Sequence, residues 1–549
     1  MIPVLLILIP LLTGLATFFF KNDKAVRSWV LFSAIATLLV SILGLTVLKE
    51  ENFLQYHAEW LQSLGSSFSV KLDGMGQLLC LLNALAYPLV ILSTWNSSYK
   101  KPNNFFALML LAQAGMMGVF LAMDALLFYF FWELALIPMY FLCSQWGGEK
   151  RIAVTFKFFI YTFIGSLLML LGILYIYSHT ADHSFAIDSF YNVALAKKDQ
   201  SMIFWLMFVA FAIKMPIFPL HTWQPDTYEQ APTATTMILS GVMVKMGIFG
   251  MLRWLFPVLP FASFQWGDFI TPLALIGVIY ASLIAIKQDD LKRLVAYSSI
   301  AHIGLMCAAA FSQNISGLQG LMIQMFNHGI NIIGLWIVVE LIERQFKTRK
   351  ISELGGLAQK APALAILLVI VALANIALPL TNAFPGEFLM FNGIFSSQTK
   401  YNVWFVVLAG MGIILGAVYT LNMIRKIFYG NTNELTAAAQ DIHWNEKLAL
   451  GIIVFIIFLF GIYPQCMLNE TAGVAESIFK KIRTVSAKPA EAIRRNQYER
   501  INIIGNTGSY YDVQWNCTDI KSGNTEYCHC RNRPVVTCQF AGNGWHSLF

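Results

Sequence analysis

Residues 235–248 read TTMILSGVMVKMGI, an apolar stretch whose one charged residue is Lys245. A charge at the centre of a bilayer-spanning helix costs about 2.5 to 3.5 kcal/mol on insertion scales, so the side chain must face protein or water. Roughly ten residues on either side, about 15 Å of helix, keep Lys245 from reaching the lipid headgroups. The stretch therefore predicts a membrane helix with a functional amine, a central store for protons.

The composition extends this prediction to most of the chain. Of 549 residues, 57% are hydrophobic and 12% are charged, and the mean hydropathy is +0.62. These values exclude an ordinary soluble domain and indicate an all-α polytopic membrane protein. At roughly 20 residues per span, residues 1–466 accommodate about fourteen transmembrane helices. The predicted apolar segments are 2–20, 28–48, 78–96, 104–123, 125–146, 153–178, 201–220, 232–256, 268–287, 294–312, 317–343, 361–400, 402–424 and 447–466.

Basic residues are distributed unevenly between the two sets of loops. The net charge is +7, but Lys and Arg are spread over short loops, which argues against a nucleic-acid partner. One set of loops carries most of them: 21–27, 100–101, 150–151, 287–293 and 344–350. The positive-inside rule places these loops inward and both termini outside. The expected surroundings are a lipid bilayer, and the first apolar run, from Ile2, is expected to be retained as a helix.

Two predicted helices are interrupted by proline. The seventh contains KMPIFP (214–219) and the twelfth contains LPLTNAFPGE (378–387), and each places a charge beside the interruption. Helices 4–8 and 9–13 would then be two inverted five-helix repeats with their breaks in corresponding places, a pattern typical of a transport path. Proline frees backbone carbonyls, so water or protein is expected to satisfy them at membrane depth.

The domain organisation predicted from these repeats has six parts. They are the first three helices (1–103), the first inverted repeat (104–256), the second inverted repeat (257–430), the last helix with its preceding loop (431–466), an amphipathic outer-face helix (467–486) and a cysteine-containing outer tail (487–549). In an oxidising outer compartment, the tail cysteines predict two disulfides with three possible pairings; these cysteines are Cys517, Cys528, Cys530 and Cys538. A zinc site using Cys528, His529 and Cys530 is the alternative.

Glu133 and Lys214 lie deep in the fifth and seventh predicted helices and are expected to be partners. At about 4 Å and an effective dielectric near 20, their attraction would be worth roughly 4 kcal/mol. Burial of the lysine has an effect of similar size and opposite sign. Making or breaking the contact could therefore switch Lys214 between holding and releasing a proton. The alternative is a permanent structural ion pair.

Glu387 follows the second break and is expected to receive protons from Lys245 and pass them outward. At the start of a half-helix it could also act as a cap, since helix N-termini favour carboxylates. Supporting polar or hydration roles are predicted for His221, Asp226, His302 and His328. A histidine can relay protons near physiological pH, although it can equally satisfy a loosened backbone. His302 and His328 could hydrate a link between Lys245 and Glu387.

Several kinds of chemistry have no motif in this sequence. It contains no GxxxxGK[ST], GxGxxG, CxxC or HExxH pattern, so nucleotide, iron–sulfur and hydrolytic zinc roles are not indicated. We therefore expect no cofactor or metal bound by this chain. A pump without its own energy source requires a driving partner or a second ion.

Three motifs resemble a known family. They are PLHTWQPD (219–226), QAPT (230–233) and GVMVKMG (241–247). These motifs resemble the antiporter-like membrane subunits of respiratory complex I, NADH:quinone oxidoreductase. The resemblance covers residues 1–466. It implies that Glu133, Lys214 and Lys245 form the proton path, and Glu387 is similar to the glutamate of M-type (mitochondrial subunit-4 type) chains, where L- and N-type chains usually carry lysine.

The resemblance also implies a setting for the chain. NAD, FMN, iron–sulfur clusters and quinone would be bound by other chains, and quinone reduction in a distant arm would drive pumping. The implied partners are other complex I membrane subunits, above all L-type and N-type chains, in a bacterial inner membrane. The alternatives are a subunit of a multisubunit cation/proton antiporter or of a membrane-bound hydrogenase, and a purely structural scaffold.

Overall fold

The computed structural model describes residues 1–498 and the tail strands 521–522, 525–528 and 536–537, with side chains described to residue 483. Its contacts divide the chain into two units, 1–486 and 487–549. In the second unit the strands Lys521–Ser522, Thr525–Cys528 and Val536–Thr537 form a small antiparallel sheet. Cys517, Cys530 and Cys538 lie outside the described residues, as does the side chain of Cys528. The disulfides and the zinc alternative therefore stay predictions.

The first unit is built from helices, as the composition predicted. Eleven described helices are long and apolar enough to cross a membrane. The main helices are α1 Ile2–Thr17, α2 Asp23–Thr46, α3 Gly74–Ser93, α4 Pro102–Leu121, α5 Ala125–Trp146, α6 Arg151–His179, α7 Lys197–Lys214, α8 Trp223–Gln230, α9 Thr233–Leu255, α10 Pro260–Lys287, α11 Leu291–Ala310, α12 Ile315–Phe346, α13 Pro362–Asn375, α14 Ala383–Phe395, α15 Asn402–Phe428, α16 Trp444–Ile462 and α17 Gln465–Tyr498.

The two predicted interruptions are present. The seventh segment ends at Lys214 and helix resumes at Trp223, while the twelfth segment is split into α13 and α14. At the first break, Trp223 Nε1 donates to the freed carbonyl of Ile213 at 2.9 Å. Protein donors therefore satisfy backbone groups at the break, as membrane depth requires. The pairing of the segments into two inverted repeats stays a prediction, as do the six domain boundaries.

A β-hairpin between α2 and α3 was not predicted. Strands β1 Gln55–Leu61 and β2 Ser66–Lys71 pair antiparallel, with Gln55 opposite Lys71. Asp124 is buried and caps α5 through the Leu126 and Leu127 amides, both at 3.0 Å. The same carboxylate accepts from the Ser66 hydroxyl at 2.9 Å. The hairpin is thus tied to the start of the helix that carries Glu133.

The predicted amphipathic helix after the last apolar segment is present as α17 and extends beyond residue 486 to Tyr498. Its buried residues recur every three to four positions, at Met467, Thr471, Ala475, Ile478 and Ile482. This spacing places them on one helix face. Near its start, Glu470 forms a 2.7 Å ion pair with Lys49, which follows α2.

Candidate functional site

Lys245 is fully buried in the middle of α9. Five-residue π-helical turns precede and follow its own helical turn, at Leu239–Met243 and Met251–Leu255. π-turns leave backbone carbonyls without a regular helical partner and are frequent at functional sites. Lys245 Nζ donates to the Ser240 carbonyl at 2.7 Å and lies 2.9 Å from His328 Nδ1. The lysine thus has one backbone contact and one side-chain contact that can exchange a proton.

A line of titratable side chains continues from this lysine. The rings of His328 and His302 lie 5.4 Å apart between centroids, and His302 Nδ1 lies 3.3 Å from Glu387 Oε1. Glu387 is buried and also accepts from Gln324 Nε2 at 3.3 Å. Lys245, His328, His302 and Glu387 come from α9, α12, α11 and α14. The structure therefore brings together four of the eight residues that the sequence singled out.

Amide side chains on one face of α12 support this line, and the sequence analysis missed them. Asn327 Nδ2 donates to the Asn382 carbonyl at 2.7 Å, and Asn331 Nδ2 donates to the Ala374 carbonyl at 3.2 Å. Both carbonyls flank the break between α13 and α14. The signal was present, since Gln324, Asn327, His328 and Asn331 follow the helical spacing of three and four inside an apolar segment.

A small cavity of about 20 Å³ adjoins the end of the line. A cavity holds a water only if it offers roughly 10–15 Å³ and two to four polar partners. The lining of this cavity is mostly apolar, and Glu387 and His302 are its two titratable members. The cavity is lined by Val278, Ala301, His302, Leu305, Ile376, Glu387, Ala409, Gly412, Ile413, Gly416 and Tyr419.

Lys214 and Glu133 do not form a direct ion pair in this structure. Lys214 is 2% exposed and is the last residue of α7, while Glu133 is partly buried on α5. Neither Lys214 Nζ nor the buried Glu133 Oε1 has a hydrogen-bond partner among the described residues, and no described ion pair within 4 Å joins them. The two side chains are therefore not in direct contact in this structure, and the switching role and the structural alternative both stay predictions.

His221 and Asp226 lie away from the buried line. His221 is buried in the first break, with no described hydrogen-bond partner for Nδ1. Asp226 lies in the short helix α8 rather than in the predicted loop, because the chain resumes helical structure at Trp223. It binds Lys157 Nζ at 2.8 Å and Arg293 at 3.2 Å. Partial burial alone would raise the pKa of Asp226, but hydrogen bonds and charge from these two residues outweigh it and lower the pKa.

Asp226 belongs to a charged cluster that the sequence analysis did not predict. Arg293 also binds Glu229 at 2.8 Å, and Glu229 binds Arg349 at 2.9 Å. Arg349 in turn contacts Asp290 and Glu343. The cluster joins α6 and α8 to the beginning of α11 and the end of α12. Its members lie on or next to the loops predicted to face inward and are far apart in sequence, so only the fold reveals their contacts.

Comparison with known proteins gives the family. Residues 122–416 match the family described as NADH:quinone oxidoreductase/Mrp antiporter, TM. NADH-quinone oxidoreductase subunit M of Rickettsia typhi is 35% identical over 477 residues, covering 84% of this chain and 95% of that protein. F(420)H(2) dehydrogenase subunit M of Methanosarcina mazei is 34% identical over 499 residues, covering 87% and 98%.

Solved structures give the same fold. A chain of respiratory complex I from Thermus thermophilus with bound NADH superimposes with a TM-score of 0.82 at 27% identity, covering 88% of this chain and all of that one. A chain of the Mrp complex from Dietzia has a TM-score of 0.77 at 17% identity, covering 87% and 97%, and so shares the fold. The chain with the buried line from Lys245 to Glu387 therefore belongs to the NADH:quinone oxidoreductase/Mrp antiporter family of membrane subunits, as one of its subunit M members.

Proposed function

We propose that this chain is a proton-translocating subunit of an NADH:quinone oxidoreductase, with no redox centre of its own. The observation that carries the proposal is the line Lys245–His328–His302–Glu387. Buried ionisable groups in membrane helices are costly and typical of proton relays. Here they are placed within a few ångströms of one another, on four different helices. The relatives named NADH-quinone oxidoreductase subunit M support the assignment of the driving reaction.

The line can pass a proton by short transfers. Lys245 Nζ donates its proton to His328 Nδ1 when that nitrogen is unprotonated, and the roles of the ring nitrogens depend on the tautomer. The Nε2 atoms of both His328 and His302 are buried without a described partner. One bridging water between the rings would complete the connection to Glu387. A proton that moves along this line passes residues of four helices, α9, α12, α11 and α14, and stays inside the protein.

Glu133 and Lys214 would form the first half of the path, and protons would again move there by short transfers between buried groups. Lys214 Nζ forms no hydrogen bond with Glu133 in this structure. A buried ion without a partner is strongly unfavourable, so Lys214 can hold its proton only if another group compensates the charge. Approach to Glu133 stabilises the ammonium, and separation favours release. We infer that the two halves exchange protons through Lys214 and Lys245, driven by quinone reduction in other chains.

The setting is proposed from the relatives. NAD, FMN, iron–sulfur clusters and quinone would be bound by partner chains, and L-type and N-type subunits would be membrane neighbours. The location would be an inner membrane of bacterial type with both termini outside. The F(420)H(2) dehydrogenase relative favours a second candidate, in which the same membrane subunit serves a complex with a different electron donor.

Purification in mild detergent tests the assembly. We expect NADH-oxidising flavin and iron–sulfur subunits to co-purify with this chain, because a subunit without a redox centre must be attached to one. The measurement is identification of every attached chain by mass spectrometry, together with NADH oxidation by the purified complex. Recovery with monovalent-cation antiporter chains alone would contradict the proposal.

The cavity beside Glu387 gives a second test. Alanine at Gly416 places a methyl group into the cavity at 3.6 Å from the Tyr419 hydroxyl, an ordinary contact. We expect Gly416→Ala to fill part of this cavity beside Glu387 and to slow proton translocation several-fold, measured as acidification of proteoliposomes. Gly410→Ala on the same helix is the matched control, since nothing lies within 4 Å of its added methyl. Both changes favour helix formation by about 0.5–1 kcal/mol, so equal slowing by both would refute a role for this cavity in proton translocation.

A further inference from the structure

The ammonium group of Lys214 has an aromatic neighbour that the proton path above does not use. Lys214 Nζ lies 5.2 Å from the ring centroid of Trp132, within the roughly 6 Å range of a cation–π contact. Tryptophan is the aromatic residue that attracts a cation most strongly, and the attraction grows when water is excluded. Trp132 is 1% exposed and Lys214 is 2% exposed, so both sides of the contact are shielded from bulk solvent.

The Trp132 ring is held in place by other aromatic side chains. It packs against Phe128 at 5.6 Å and against Phe211 at 5.9 Å between ring centroids. Phe211 precedes Lys214 by one helical turn on α7, and Trp132 directly precedes Glu133 on α5. The ring and the carboxylate therefore belong to adjacent residues of one helix, while the ammonium belongs to the facing helix.

We propose that Trp132 is a second resting place for the Lys214 ammonium, which holds the charged lysine when it is not paired with Glu133. The inference deepens the proposed function and rests on it. Lys214 Nζ has no hydrogen-bond partner among the described residues, so no hydrogen bond holds it in place. The π face of Trp132 supplies negative potential without a proton acceptor. Lys214 can thus leave the carboxylate while still protonated, and Trp132 acts as a positioning residue.

An interaction weaker than the ion pair with Glu133 suits Lys214 at this point of the path. Pairing with Glu133 fixes a proton on the lysine, whereas an uncompensated lysine in a dry site would release it at once. Cation–π attraction lies between these two extremes, because it depends on charge but offers no site for the proton. The ring therefore offers the protonated lysine a position away from the carboxylate, where it keeps its proton without a bound acceptor.

Fluorinated tryptophans test the proposal with little change in side-chain volume. The assembled complex is prepared with successively more fluorine on the ring at position 132 alone, since the chain has 14 tryptophans. We expect the logarithm of the proton translocation rate to fall steadily with fluorination, by up to roughly thirtyfold across the series, the equivalent of about 2 kcal/mol. Trp132→Phe should retain more activity than Trp132→Leu.

Trp336 is the matched control. It is also fully buried and packs against an aromatic ring, that of Tyr228 at 5.8 Å, and no cation contacts it among the described residues. Fluorination at Trp336 should leave the rate unchanged. A flat response at position 132, or equal responses at both positions, would overturn the cation–π role.

Glu133→Gln separates this inference from the proposed function. If Glu133→Gln pumps normally in an assembled complex, the path through Lys214 is itself wrong. If Glu133→Gln loses pumping while fluorination of Trp132 has no effect, the path stands and only the role of Trp132 fails. Assembly of each variant is checked by co-purification of the other subunits before its rate is measured.

Discussion

Lys245→Ala is expected to abolish proton translocation in an assembled complex. The substitution removes the one amine that contacts both the Ser240 carbonyl and His328, so the proton line loses its beginning. Acidification of proteoliposomes during quinone reduction measures the effect, with the electron transfer rate recorded in the same sample. If an assembled Lys245→Ala complex kept a normal ratio of translocated protons to transferred electrons, the chain would have only a structural role, as a membrane scaffold.

Lys245→Arg distinguishes proton transfer from a need for charge alone. Arginine keeps the positive charge but does not deprotonate in proteins. We therefore expect Lys245→Arg to fail in pumping as well, even where it assembles better than the alanine variant. Lys292→Gln is the control for loss of a buried lysine, since Lys292 is equally inaccessible but is paired with Glu343 at 2.8 Å. Lys292→Gln should alter the thermal stability of the complex and leave the ratio of translocated protons to transferred electrons unchanged.

Glu387→Gln is expected to lower the proton translocation rate by about a hundredfold, the lower range for loss of a positioned proton-transfer group. The amide keeps the volume of the side chain and can still accept from Gln324, but it cannot take a proton from His302. The rate of proteoliposome acidification and the ratio of protons to electrons measure the loss.

Glu446→Gln is the matched control for this second substitution. Glu446 is also buried, but it pairs with Arg344 and accepts from the His443 amide at 2.8 Å, which caps α16. Removal of its charge should lower the thermal stability of the complex and leave pumping per electron intact. If the two glutamine variants lost pumping to the same degree, Glu387 would have no special part in the path.

Hydropathy and proline were enough to predict the helical class, the two interruptions and the burial of Lys214, Lys245 and Glu387. These properties are local: apolar length decides which segments cross a bilayer, and proline removes a backbone donor where it stands. The contact between Lys245 and His328 was predictable only as a possibility, because 83 residues separate them in sequence. Their distance depends on how α9 and α12 pack.

Other parts of the site could not be predicted from local patterns. The π-turns around Lys245 arise from packing in the completed bundle, since Ser240 and Gly241 do not by themselves distinguish an α-turn from a π-turn. The separation of Lys214 from Glu133 depends on the placement of α5 against α7. The sequence analysis did not single out Trp132, because only the fold brings the Lys214 ammonium to its ring.

The charged cluster at Asp226 and Glu229 has a mechanical consequence. Arg293 already divides its contacts between these two carboxylates, and Arg349 divides its contacts among Glu229, Asp290 and Glu343. Each guanidinium thus contacts more than one acidic group at the same time. The contact between α8 and α11 is therefore held by ion pairs that share their partners, and removal of any one carboxylate leaves each guanidinium with at least one other.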